Sequence, residues 1–159
     1  MTKKILLDAN LLIAAFDHNG NTSEEIRNAA NDKLSELSSD PDVAFFITPL
    51  IRYEVLRGVS WQRPDDFQSL QQILNTIPEL DITCSVSELA ANLFRFEGWQ
   101  IRQQNDTHRN IDKRKFDIFH FCSARCNNLE LCSNDTDIGR IHTIYAFYCQ
   151  ATNLYLIYV

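Results

Sequence analysis

Three short apolar runs, residues 3–7, 43–47 and 129–132, are separated by much longer stretches that carry helical signals. Each run is too short for a core helix and is bounded by polar or turn residues, so each predicts a buried strand. Between them, residues 10–16 predict a helix and Asn19-Gly20-Asn21 a turn. Thr22 with Glu25 forms a capping box that opens a helix to about Ser39, which Asp40-Pro41 ends. Thr48-Pro49 reads as an N-cap with proline at the first helical position, for a helix ending near Gly58. Pro64 opens a helix to about Thr76, and Ser85 with Glu88 a second capping box for a helix to about Gln103. A helix over residues 115–127 leads into the third strand; after it, residues 137–150 predict a helix and 154–158 a last strand. Strands joined through helices imply βαβ units, hence a parallel sheet with helices on both faces.

At 159 residues the chain fits one domain, 1–159, with a substantial core. Only four glycines and four prolines exclude a loop-dominated or disordered chain. No stretch approaches the roughly 18 to 20 apolar residues that span a bilayer. Lys3 and Lys4 precede an apolar run that stops at Asp8, short of the roughly 7 to 15 residues of a secretory signal, so a cytoplasmic protein without membrane contact is expected. The five cysteines (84, 122, 126, 132 and 149) read as reduced thiols: the number is odd, and nothing near Cys122 and Cys126 completes a zinc site.

Four acids hold positions where chemistry is expected. In open α/β sheets, ligands sit beyond the carboxyl ends of the strands. Asp8 follows the first strand directly, and Asp135, with Asp137 close behind, follows the third. Each alone could simply cap the next helix. Glu54 lies about 40° from Leu50 and about 60° from Ile51 on its helix, so it interrupts an apolar arc. A carboxylate facing inward needs a partner or a metal, although Glu54 could also keep its stem buried and pair with Arg57. Gly58, one turn on, leaves room beside it. Asp117 sits in the first turn of its helix, where the macrodipole alone accounts for an acid. His120, one turn later, is read as a hydrogen-bonded core histidine. Were Asp8, Glu54, Asp117 and Asp135 to converge, their mutual repulsion would call for cations, and all-oxygen ligation suits Mg²⁺ or Mn²⁺. Two such ions about 4 Å apart can activate water and stabilise a leaving oxygen in phosphodiester cleavage.

The formal net charge is −6, which by itself disfavours a polyanionic partner. Residues 102–115 nevertheless carry five Lys/Arg against two Asp, a local +3 that leaves −9 for the rest. Arg102, Arg109, Lys113, Arg114 and Lys115, with His108, lead straight into Asp117 and form a candidate RNA-backbone strip. Tyr53, Trp61 and Trp99 are candidate stacking platforms. A solvated loop with the aromatics packed inside accounts for the same residues.

These stretches resemble a PIN domain, and within that family the ribonuclease toxins of VapBC toxin–antitoxin pairs. The resemblance is carried by Ile5-Leu6-Leu7-Asp8-Ala9-Asn10, by Thr48-Pro49 through Glu54 to Leu56-Arg57-Gly58, by Asp117-Ile118-Phe119-His120 with Ala124, and by Cys132-Ser133-Asn134-Asp135-Thr136-Asp137. It implies a three-layer α/β/α fold around a mostly parallel sheet and a metal-dependent endoribonuclease. The family's four acids fall on Asp8, Glu54, Asp117 and Asp135. Asp137 matches a further metal-binding acid, and Asn10 and Ser133 match supporting polar positions. Members often form homodimers, and the toxins are restrained by an antitoxin tail. Ala9 stands where many members have a hydroxyl residue, and Phe119, Phe121 and Cys122 are bulkier than usual. The alternatives are a PIN-like module that binds RNA or protein without cutting, and a carboxylate phosphotransfer enzyme. Asn10 stands where the latter wants a second Asp. Four glycines and no Gly-rich phosphate loop exclude a P-loop enzyme.

Overall fold

The computed structural model describes residues 1–17, 20–104, 114–134 and 137–157, with side chains of the last helix described to Asn153. The elements follow in the order β1 (Lys3–Leu7), α1 (Ala9–Ala15), α2 (Glu24–Ser38), β2 (Val43–Phe46), α3 (Pro49–Arg57), α4 (Pro64–Asn75), α5 (Cys84–Gln103), α6 (Lys115–Cys126), β3 (Glu130–Cys132) and α7 (Ile138–Ile157). Among the described residues the sheet has three parallel strands in the order β2-β1-β3. Ile5 lies opposite Phe45 on one side and Glu130 on the other. The chain is therefore α/β with a parallel sheet, and β1 is central.

Two apolar cores flank this sheet. Leu6, Leu11, Leu12, Ile47, Ile51 and Leu74 anchor the first, where α1 to α4 pack. Val86, Leu93, Ile118, Phe121 and Ile141 anchor the second, built by α5, α6 and α7, with Leu131 of β3 reaching both. Aliphatic packing of this extent is the main source of stability.

Capping sets where the elements begin. Thr48 Oγ1 accepts from the Ile51 amide, so α3 starts where the Thr-Pro pair predicts. The other two caps each shift. Ser23 rather than Thr22 caps α2, and Thr83 rather than Ser85 caps α5 by accepting from Val86. At the end of α6, Asn128 adopts φ 55°, its amide donates to Arg125 and the Leu129 amide to Ala124. This is a Schellman turn with asparagine in the left-handed position, and it swings the chain from α6 into β3.

The strand expected over 154–158 is not formed, because α7 continues through Ile157. Aromatic and branched residues favour a strand locally, but Tyr145 and Tyr148 are packed into the second core. Thr152 turns its hydroxyl back to the carbonyls of Tyr148 and Cys149, which suits a helix. No described helix is long and apolar enough to cross a membrane.

Candidate active site

The carboxyl end of β1 delivers Asp8 into the interior, where it is 1% exposed. Both of its oxygens are engaged. Oδ1 accepts from the Ala9 amide at 2.8 Å, which caps α1, and Oδ2 accepts from Ser133 Oγ at the end of β3. The Asp8 amide donates to Cys132 O at 2.9 Å, so the strand pairing runs on to the acid itself. Burial is the largest influence on this carboxyl and pushes its pKa above the usual 3.8. The Ser133 hydroxyl, His120 and the Ala9 amide pull it back down, while the charge of Glu54 adds to the upward push.

Glu54 comes from the middle of α3, its side chain 12% exposed. Its partner is His120 of α6: Nε2 meets Glu54 Oε2 and lies 3.9 Å from Asp8 Oδ1. His120 is fully buried, and its Nδ1 has no hydrogen-bond partner among the described residues. The core histidine expected from the sequence thus joins two of the candidate acids, a role that spacing from Asp117 alone did not reveal. Gly58 is not needed for space, since a Cβ there would sit 3.7 Å from the Val55 carbonyl, an ordinary contact.

Asp117 stands one turn before His120 on α6, partly exposed. Asp137 is the residue before α7, and its Oδ1 lies 3.6 Å from Arg140. Asn10 is exposed on the first turn of α1. Asp135 lies outside the described residues. Among the described residues no three His, Cys, Asp or Glu side chains are grouped to hold a metal. The acids linked through His120, Asp8 and Glu54, offer hard carboxylate oxygens, and Asp117 stands one turn before that histidine on α6. That chemistry fits a divalent cation such as Mg²⁺ or Mn²⁺ rather than a soft metal.

The basic strip is divided. Arg102 is exposed near the end of α5 and Lys115 is exposed with its Nζ 5.9 Å from the Phe116 ring centre. Arg109 and Lys113 lie outside the described residues. Arg114, expected to face RNA, is instead buried, and its Nη1 donates to Glu97 Oε1 of α5 at 2.6 Å. Glu97 is 1% exposed, and a buried acid of this kind needs a cation beside it. Arg114 is thus removed from the candidate RNA-binding set, and Glu97, which the sequence did not single out, takes its charge. Of the thiols, Cys122 is fully buried, and its pKa is pushed up to about 12 by desolvation, so it is not a nucleophile. Trp61 is 97% exposed and Tyr53 53%, with Arg57 over the Tyr53 ring.

The sequence matches the PIN domain family profile over residues 5–143. The chain belongs to the PIN domain family. Solved structures similar to this PIN domain include VapBC2 from Rickettsia felis bound to a promoter DNA fragment, with a TM-score of 0.60 at 16% identity over 87% of this chain and 92% of that one. VapBC-1 from nontypeable Haemophilus influenzae gives 0.58 at 13% identity over 88% and 92%. Mycobacterium tuberculosis VapC20, a sarcin-ricin loop cleaving toxin, gives 0.55 at 13% identity over 86% and 93%. No curated protein sequence matches the chain. At these identities the likeness is one of fold, and it agrees with the three-stranded parallel sheet and its flanking helices.

Proposed function

We propose that this PIN domain is a divalent-metal-dependent endoribonuclease and the toxin of a toxin–antitoxin pair. The observation that carries the proposal is the link Asp8–His120–Glu54, which brings acids from β1 and α3 to one buried imidazole. Asp8, Glu54 and Asp117, with Asp135 and Asp137, are the residues that would hold Mg²⁺ or Mn²⁺. When bound, the metal supplies the charge that draws in a phosphodiester and acidifies the attacking water. Ser133 and the Ala9 amide fix both oxygens of Asp8, and His120 fixes Glu54, so the carboxylates are oriented before any substrate arrives. Arg102 and Lys115, with Arg109 and Lys113, would draw the RNA backbone toward the acids.

The toxin assignment leans on the similar structures, two of them VapBC and one a toxin that cleaves the sarcin-ricin loop. In that role the protein works in the cytoplasm, forms a homodimer and is restrained by an antitoxin protein. Divalent-dependent turnover of a generic RNA tests the catalytic claim. Asp8→Asn, Glu54→Gln, Asp117→Asn and Asp135→Asn should each abolish cleavage in a folded protein. A variant with full activity removes that residue from the set. No cleavage by the parent protein with any divalent ion would leave a binding module instead.

A further inference from the structure

A groove of about 520 Å³ opens along the C-terminal half of α5, its lining including Asn92, Arg95, Phe96, Trp99, Arg102 and Tyr148. Phe96 stacks on Trp99 with ring centres 5.9 Å apart and planes at 28°, and Tyr148 of α7 meets Phe96 edge-on at 5.8 Å. Phe96 is held between its neighbours, yet Trp99 keeps half of its surface in water. Arg95 and Arg102 stand four residues before Trp99 and three after it. They flank the indole on one face of the helix, about 10.5 Å apart along its axis. Among the described residues, no Asp or Glu lines the groove. The Glu97–Arg114 pair holds this part of α5 against the start of α6, the helix that carries Asp117 in its first turn.

We infer that this groove is a nucleotide subsite. The base of an unpaired ribonucleotide stacks on Trp99, and the flanking phosphates meet Arg95 and Arg102. The inference rests on the ribonuclease proposal above and adds where the strand lies away from the cut. Stacking needs a flat apolar surface open on one side, and a flexible polyanion needs cations not already matched by carboxylates. Among the described residues the groove offers both. A second copy of this chain fits it less well. A two-fold contact would press the face onto its own mate and bring guanidinium groups together, with no acid among the described lining residues to meet them.

The chain has two tryptophans, so Trp61→Phe leaves Trp99 as the sole indole reporter. In an Asp8→Asn background, which binds without cutting, adding a twelve-residue oligouridylate should quench Trp99 fluorescence saturably. Trp99→Ala should weaken binding about 10-fold, and Trp99→Phe should recover most of the loss. Arg95→Ala with Arg102→Ala should reduce the slope of log affinity against log salt by about 1.4. If the parent protein cuts RNA while Trp99 stays unquenched and Trp99→Ala binds unchanged, the subsite is overturned and the nuclease stands. If the parent neither binds nor cuts RNA, both are overturned. If Trp99→Ala instead converts a dimer to a monomer in sedimentation and leaves RNA affinity intact, the groove holds a second copy and the inference is overturned.

Discussion

Ser133 donates its hydroxyl proton to Asp8 Oδ2 across 125 positions of sequence, joining the ends of β3 and β1 at the candidate acid. The bond fixes the carboxylate oxygen that the Ala9 amide does not hold. Ser133→Ala should leave the fold intact, weaken Mn²⁺ binding by about 10- to 100-fold, and lower turnover in step. Because the hydroxyl pulls the Asp8 pKa down, its loss lets that pKa climb. The acid limb of the pH–rate profile should then move to higher pH. A calorimetric Mn²⁺ titration and a pH series check both; an unmoved acid limb would mean that Asp8 does not set it.

Asp8 itself should cost the metal-free protein stability at neutral pH. Its pKa in the folded state is raised above 3.8, so the native state binds the proton more tightly than the unfolded chain does. Stability contributed by protonation is therefore present at acid pH and lost as pH rises from 3.8 through the raised value. Asp8→Asn should raise the melting temperature at pH 7 without metal and give little gain near pH 3.8. Calorimetric scans at the two pH values decide it, and a gain of equal size at both would exclude the ionisation as its source.

His120→Ala should destabilise by about 2 to 4 kcal/mol, through the cavity it leaves and the carboxylate it abandons. Because His120 and Glu54 are in contact, Glu54→Gln combined with His120→Ala should cost less than the two single changes together. Urea denaturation of the four proteins measures this coupling. Strict additivity would show that the two side chains do not interact in solution.

Breaking the buried Glu97–Arg114 pair from one side should cost about 3 to 5 kcal/mol, whereas Glu97→Leu with Arg114→Met should recover most of it. The side chains are only 2% and 7% exposed, so solvent screening does little to soften the loss. Since Arg114 is inside, the double variant should keep the salt dependence of RNA binding. A flattened salt slope would put Arg114 back on the RNA-facing surface.

Much of this arrangement is written locally in the chain. Apolar runs of strand length placed β1, β2 and β3 within a residue or two, and Thr48-Pro49 marked the start of α3, because capping and strand burial depend on adjacent residues. The placement of Asp8 directly after β1 was readable for the same reason. What local pattern could not show is pairing at a distance. Arg114 sits in a run of basic residues that reads as solvated, and only Glu97, seventeen positions earlier, draws it inside. His120 reads as a core residue, and so it is, but its contact with Glu54 spans 66 positions. At the C-terminus, strand-forming residues lost to packing, as Tyr145 and Tyr148 joined the second core and α7 continued past them.

The inner place of β1 gives the acid at its end unusual insulation. Its backbone is bonded to β2 on one flank and β3 on the other, so among the described residues the strand that ends in Asp8 is not a sheet edge. Fraying of peripheral elements such as α4 or α7 leaves both ladders closed, and amides of this strand should exchange with deuterium only when the whole domain opens. Sequence drift on the outer helices can therefore erode the lifetime of the fold long before it disturbs the chemistry.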